Sequence, residues 1–250
     1  MKVIGIIPSR YASTRFPSKP LSMIKGKTMI QRVWEQAWKS KLDAVVVATD
    51  DMRIAEEVLK FGGQYVLTDP NLRSGTDRCR EALYIIEEQY DAVVNIQGDE
   101  PFIDPAQINQ VIELIGQDDT QLASLAKRIE DEDELFSPNV VKVVMDKQGN
   151  ALYFSRNPIP FMRNLDHDKW LQMGEFYKHI GLYAYKVETL CQIAEMQSTA
   201  LEMAESLEQL RWLENGLRIR MGLTPYESLS IDTQEDLEKA LQFAQNQLKE

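Results

Sequence analysis

The chain has only two cysteines and two histidines in 250 residues, and each shortage closes off a class of chemistry. Cys79 and Cys191 stand far apart, with no CxxC and no histidine pair beside them. Neither a disulfide framework nor a zinc site is expected, and the thiols read as reduced. Basic residues are in deficit: 28 Lys and Arg face 39 Asp and Glu, for a net charge of −11. That balance argues against nucleic acid or an anionic membrane surface as the main partner. No apolar run approaches the ~18 residues of a membrane span. Val3–Ile7 is too short for the apolar core of a secretory signal, so a cytoplasmic protein is expected. The glycine motifs that cradle phosphate are missing as well. No GxGxxG follows a strand-like run. Gly26-Lys27-Thr28 imitates the end of a P-loop, but Leu21 stands where that motif requires its first glycine. Gly26 therefore reads as an ordinary turn.

What is present is a core-forming pattern. Hydrophobic residues make up 44% and charged residues 27%, ordinary for a soluble globular chain of this length. The first half alternates short Val/Ile-rich runs with amphipathic segments. Strands are expected at Val3–Ile7, Ala44–Ala48, Gln64–Leu67 and Ala92–Ile96. Helices are expected at Met29–Lys39, Met52–Lys60, Asp77–Gln89 and Pro105–Ile115, with Gly62-Gly63 closing the second. That alternation means βαβ units and a largely parallel sheet covered on both faces, an α/β fold.

After about residue 120 the pattern changes. Val140–Met145 and Ala151–Ser155 flank a turn-rich segment and read as a hairpin. Ile180–Tyr185, Leu217–Leu223 and Ser228–Ile231 read as strands, and Glu202–Asn215 as a helix ended by Gly216. Thr233 and Asp236 form a capping box for a last helix, Glu235–Leu248. No repeat or linker divides the chain. A single domain is expected, with the irregular stretch 156–178 read as a substrate-side insertion.

The most informative stretch is VIGIIPSRYASTRFPSKPL at 3–21. Arg10, Arg15 and Lys19 leave the end of a buried strand among Ser9, Ser13, Thr14 and Ser18. Loops at the carboxyl ends of strands are where open α/β sheets bind ligands. Guanidinium and ammonium groups there suit a polyanion such as a phosphate chain. A second strand delivers Gln97-Gly98-Asp99, where Gly98 permits a sharp turn and Asp99 offers oxygen ligands to magnesium. Asp232 repeats that placement before the last helix, although an aspartate beside Thr233 is equally an ordinary cap. Ser74-Gly75-Thr76-Asp77-Arg78 opens a helix and reads either as an anion or sugar-hydroxyl site or as a plain cap followed by a surface arginine. Arg156 and Arg163 flank Pro158-Ile159-Pro160 and suit a carboxylate-bearing substrate or a surface cation pair. His179, Tyr183, Glu208 and Gln209 read as hydroxyl contacts or as core and solvated positions.

These motifs together carry a resemblance. The chain resembles the CMP-Kdo synthetases, the 3-deoxy-manno-octulosonate cytidylyltransferases, over nearly its whole length. The residues that carry it are IPSRYASTRFPSKPL, ATDD at 48–51, SGTDR at 74–78, NIQGDEP at 95–101, ALYFSRNPIP at 151–160, YKHIGLYAY at 177–185, ESLEQLR at 205–211 and IDTQEDLE at 231–238. The resemblance implies a nucleotide-diphospho-sugar transferase-like nucleotidyltransferase fold with a sugar-binding and dimerisation insertion at about 140–190, a homodimer, Mg2+, CTP and Kdo as substrates, and a place in lipopolysaccharide biosynthesis. It implies Arg10 and Lys19 on the CTP phosphates, with Ser13 and Arg15 shaping the same loop. Ser74, Arg78 and Gln97 match the cytidine site, and Asp99 and Asp232 the magnesium ligands. Arg156, Arg163, His179, Tyr183, Glu208 and Gln209 match the Kdo pocket. Arg10, Lys19, Asp99 and Asp232 are then the catalytic set. Ser18 replaces the usual glycine before Lys19, which matters if that position needs positive φ. Gln234 replaces a proline favoured at helix starts. An enzyme acting on 8-amino-Kdo or a sialic acid, and a non-catalytic nucleotide-sugar binder, are the alternatives.

Overall fold

The computed structural model describes residues 1–12, 16–227 and 229–247, with Lys239 and residues 242–247 as backbone only. The expected alternation is observed through the first half. β1 (Val3–Ser9) is buried nearly throughout. Pro8 lies past Ile6, the last β1 residue paired with the neighbouring strand Ala92–Asn95, where a residue without an N–H is tolerated. A small hairpin of β2 (Met23–Ile24) and β3 (Lys27–Thr28) follows. Lys25 and Gly26 at its tip both have positive φ, 46° and 79°, as a two-residue hairpin turn requires. Then come α1 (Met29–Trp38), β4 (Ala44–Thr49), α2 (Met52–Lys60), β5 (Gln64–Leu67), α3 (Gly75–Ile85), β6 (Ala92–Asn95) and α4 (Pro105–Ile115). α3 begins two residues before the expected Asp77, because the Ser74 hydroxyl accepts from the Asp77 N–H at 3.1 Å.

The second half departs further from expectation. β7 (Leu122–Arg128) and α5 (Glu132–Phe136) precede the hairpin of β8 (Lys142–Met145) and β9 (Ala151–Ser155). α6 (Trp170–Met173) lies in the irregular stretch, followed by β10 (Tyr177–Lys186) and α7 (Val187–Glu195). The helix expected over Glu202–Asn215 is two, α8 (Ala200–Glu205) and α9 (Glu208–Glu214). They part at Ser206, which adopts the left-handed conformation at φ 53° and ends α8. β11 is only Arg220–Leu223, and α10 spans Gln234–Gln247. Of the strand expected at Ser228–Ile231, Ser228 lies outside the described residues. Leu229–Ile231 is not strand; a bond from the Ile231 N–H to the Asp99 carbonyl at 2.9 Å and the packing of Ile231 with Ile24, Met29 and Leu237 hold it to the fold.

The main sheet runs β11-β7-β10-β6-β1-β4-β5, with β8 and β9 attached through β10. Within that path β10 runs against both its neighbours, while the other pairs are parallel. The sheet is mixed and mainly parallel, as expected. Alternation along β4 shows why its run is continuously apolar. Val45 and Val47 pack with α1, α2 and α4 on one face. Val46 and Ala48 pack with α3, α7 and α9 on the other. β1, β4 and β6 all end toward the same rim, and the first loop, the α3 start and the Asp99 turn meet there.

Candidate active site

At that rim a cleft of about 340 Å³ opens. Arg10, Lys19, Ser74, Arg78, Gln97, Asp99 and Asp232 all line it, together with Pro8, Ser9, Pro20, Leu72, Arg73, Gly75 and Gly98. The expected phosphate, cytidine and metal residues are thus brought to one place. Ser13 and Arg15 lie outside the described residues.

Lys19 is the centre of this site. Its ammonium donates to Asp99 Oδ2 at 2.7 Å and to Asp232 Oδ1 at 3.2 Å. The lysine side chain is 15% exposed, so the pairs are partly shielded from water. One ammonium between two carboxylates leaves a local negative charge. The Ile231–Asp99 backbone bond holds the two aspartate-bearing segments side by side. Asp232 is not the cap of α10: Thr233 Oγ1 accepts from the Asp236 N–H at 3.2 Å, and Asp236 Oδ2 accepts from Thr233 N–H at 3.0 Å. The Thr233–Asp236 capping box is as expected, and it leaves the Asp232 carboxylate to Lys19. Among the described residues no third His, Cys, Asp or Glu joins the pair as a metal cluster. A divalent cation held there would complete its shell from substrate oxygens and water, as magnesium does.

Three first readings are corrected or refined. Gly98 does not turn the chain through positive φ. Its role is close approach: a Cβ there would stand 2.7 Å from Ser9 Oγ and 2.9 Å from the Pro8 carbonyl oxygen. Ser18, by contrast, does adopt φ 56°, the left-handed region that glycine enters without strain. Its N–H bonds the Tyr11 carbonyl at 3.2 Å and so closes the first loop ahead of Lys19. Arg78 is no surface arginine; it is buried, donates to Thr68 Oγ1, and pairs with Asp50 at 3.3 Å.

The expected sugar residues do not line this cleft. Glu208 is tied to its edge: the Thr76 hydroxyl donates to Glu208 Oε2 at 3.0 Å, and Arg211 donates to Oε1 at 2.7 Å. Burial raises the Glu208 carboxyl above its ordinary pKa. Gln209 is buried beside it in sequence. Tyr183 is packed edge-on against Trp212, and burial with nearby Glu208 raises its phenol. His179 lies between Phe154 and Tyr183 rings, and desolvation lowers its pKa to about 3. The Arg156 guanidinium is spent on backbone carbonyls, Glu205 at 2.7 Å, Pro138 at 2.9 Å and Ser206 at 3.3 Å. Arg163 is exposed. The two arginines therefore differ, one a buttress of the α8–α9 turn and one on the surface.

Further side chains support these. Ser9 Oγ is buried at the cleft with no hydrogen-bond partner among the described residues, a polar group that suits a ligand. Asp50 and Thr68 orient Arg78, and Arg53 stacks over Tyr11 at 3.4 Å to steady the first loop. Lys142, fully buried, donates to the carbonyls of Ser137, Val140 and Arg156. Ser9 and Tyr11 fall in the first-loop motif and Asp50 in ATDD, while Arg53, Thr68 and Lys142 fall in none.

The chain is similar to known proteins over nearly its whole length. A family model described as Cytidylyltransferase matches residues 4–219. A curated relative from Parabacteroides distasonis is 55% identical, over 98% of this chain and 99% of its own length. One from Bacteroides thetaiotaomicron is 53% identical, over 98% and 99%. Both bear the name 3-deoxy-manno-octulosonate cytidylyltransferase. A solved structure of CMP:2-keto-3-deoxy-manno-octonic acid synthetase complexed with CTP superposes with a TM-score of 0.91 at 37% identity, covering 99% of this chain and 100% of that one. The 4-diphosphocytidyl-2C-methyl-D-erythritol synthase of Anaerococcus prevotii, at 16% identity and a TM-score of 0.63 over 98% and 96%, shares the fold alone. By near-full-length identity to both relatives, and by near-complete superposition on the solved structure, the chain belongs to the 3-deoxy-manno-octulosonate cytidylyltransferase family.

Proposed function

We propose that the protein transfers CMP from CTP to the anomeric hydroxyl of 3-deoxy-manno-octulosonate, releasing pyrophosphate and activating that sugar for lipopolysaccharide biosynthesis. The observation that carries this reading is Lys19 joined to Asp99 and Asp232 in a cleft walled by Arg10 and Arg78. Nucleotidyl transfer needs positioning and charge neutralisation more than covalent help. Arg10 and Lys19 hold the phosphates and offset the charge that builds on the leaving pyrophosphate. Ser74, Arg78 and Gln97 hold the cytidine, and Glu208, Gln209, His179 and Tyr183 the sugar hydroxyls. Arg163 meets the sugar carboxylate, with Arg156 fixing the turn beside it.

Magnesium belongs to this proposal. The paired carboxylates Asp99 and Asp232 fit it, because both already face one cation and neither is spent on capping. When bound, the ion neutralises phosphate charge and lowers the pKa of an attacking hydroxyl. A homodimer and a cytoplasmic location belong to it too. Leu152, Phe161 and Met173 on the expected insertion are 60%, 73% and 65% exposed, apolar surface that a second copy would cover. Two free cysteines suit a reducing compartment. Among the described residues no helix is long and apolar enough to cross a membrane.

Pyrophosphate release measured across all four NTPs and a panel of acid sugars, with and without magnesium, tests the reading. Release is expected with CTP and 3-deoxy-manno-octulosonate. Faster release with 8-amino-Kdo or a sialic acid would reassign the acceptor, and no release with any sugar would leave a nucleotide-sugar binder.

A further inference from the structure

We propose that Ser124, which no motif singles out, is a positioning residue. It fixes His179 as the tautomer protonated on Nε2 and leaves Nδ1 as an acceptor for a hydroxyl of the acid sugar. The proposal rests on the reading of His179 as a sugar contact.

Ser124 lies in β7, fully buried, opposite the place where the register of β10 slips between Ile180 and Tyr183. The slip turns two carbonyls toward one side chain. Ser124 Oγ stands 3.2 Å from the Ile180 oxygen, 2.9 Å from the Leu182 oxygen and 2.9 Å from His179 Nε2. A serine hydroxyl has one proton to give and two lone pairs to receive with, and a carbonyl oxygen only receives. If Nε2 were bare, three acceptors would face the one proton of the fully buried Ser124 hydroxyl. Two of those close contacts would then be lone pair against lone pair, at the cost of unmade buried hydrogen bonds. If Nε2 carries the proton, His179 donates to Ser124, Ser124 donates to Leu182, and only the longer 3.2 Å approach to the Ile180 oxygen is left without a proton.

The ring is also neutral. Its packed neighbours are the Phe154 ring at 5.0 Å and the Tyr183 ring at 5.2 Å, with no carboxylate in an ion pair with it among the described residues. Burial among such groups disfavours the imidazolium and lowers the pKa to about 3. A neutral ring protonated on Nε2 has a lone pair on Nδ1, and no partner takes it among the described residues. Such an acceptor selects a hydroxyl and discriminates against an analogue whose hydroxyl is removed or methylated. Ser124 itself, closed within the strand ladder, acts only through His179.

The chain has only two histidines, His167 and His179, so 15N-histidine labelling gives a readable spectrum of the whole protein. A His167→Gln variant assigns it. In the wild-type protein His179 is expected to show a pyrrole-type Nε2 and a pyridine-type Nδ1, unchanged from pH 5 to 8. Ser124→Ala is expected to populate the other tautomer. The same variant is expected to raise the KM for 3-deoxy-manno-octulosonate about three- to tenfold, the scale of one hydrogen bond, with the KM for CTP unchanged. A proton on Nδ1 in the wild-type protein, or titration near 6.5, overturns the proposal. So does a shifted tautomer in Ser124→Ala with an unchanged sugar KM. If the Nε2–H tautomer is seen but wild-type protein transfers no CMP to this sugar, the substrate reading falls, and the sugar half of the proposal with it.

Discussion

Lys19 holds together two carboxylates that lie 80 and 213 residues away along the chain. Each of the three residues was legible as a candidate, since each follows a strand or opens a helix. Their meeting was not, because nothing local encodes a contact across such separations. The structure also settles the ambiguity at Asp232, by giving the cap of α10 to Thr233 and Asp236. Asp99→Asn keeps size and hydrogen bonding but removes the charge. Metal-borne stabilisation of phosphate charge is worth several kcal/mol, so turnover is expected to fall on the order of 10²–10³-fold. Pyrophosphate release checks the loss, and an unchanged melting curve checks that the fold survives. Wild-type-like turnover would sink the metal assignment. At Ser18 the expectation concerns stability. A left-handed residue with a Cβ costs roughly 1–2 kcal/mol, and glycine gives back about 0.5–1 kcal/mol through unfolded-state entropy. Ser18→Gly is therefore expected to raise Tm by about 2 °C. A lower Tm would mean that the Ser18 hydroxyl, which donates to the Pro17 carbonyl at 2.6 Å, matters more than the strain.

At the scale of elements, periodicity revealed what local chemistry specifies and hid what tertiary pairing specifies. β4 and β6 were legible because a strand buried on both faces is uniformly apolar. β7 was not, because Leu122–Arg128 reads LASLAKR, rich in residues with little strand preference. It is a strand because β10 and β11 pair with it on both sides. The break between α8 and α9 was hidden for a related reason. ESLEQLR is a good helical sequence, yet Glu205 is drawn off to the Ser155 hydroxyl at 2.7 Å and the Arg156 N–H at 2.9 Å. That long-range pull coincides with the left-handed turn at Ser206. The Asp99 turn gives the element-scale prediction. Gly98 lets the end of β6 pass against Pro8 and Ser9 at the end of β1, and a methyl group there meets backbone. Gly98→Ala is expected to destabilise by about 1–3 kcal/mol, lowering Tm by several degrees. It should also weaken CTP binding, because the displaced turn carries Asp99. Thermal melting and a CTP titration read the two effects. A variant that melts normally and binds CTP normally would show that the turn has room to move.

For the molecule as a whole, an acidic protein presents a cationic wall to an anionic substrate. The net charge is −11, yet Arg10, Lys19, Arg73 and Arg78 all face one cleft. The sum of charge does not report this. It does not report acid stability either, which depends on individual groups whose pKa differs between folded and unfolded chains. His179 is one such group. Unfolded, it titrates near 6.5; folded, burial lowers it to about 3. Above 6.5 both states hold it neutral and its contribution to stability is fully present. As pH falls from 6.5 toward 3 the unfolded chain takes up a proton that the folded chain refuses. Stability is then lost, at up to about 1.4 kcal/mol per pH unit. Glu208 acts in the opposite sense, since burial raises its folded pKa and the folded chain takes up that proton first. A wild-type melt alone therefore mixes the two. Comparison with His179→Gln separates them, because glutamine keeps an N–H for Ser124 and cannot titrate. The stability difference between the two proteins is expected to be constant above pH 7 and to shift in favour of His179→Gln between pH 6.5 and 4.5. Urea midpoints across that range measure it. A pH-independent difference would mean that the folded ring accepts its proton as readily as the unfolded one. The strand interface around Ser124 would then have to admit water or a counter-ion.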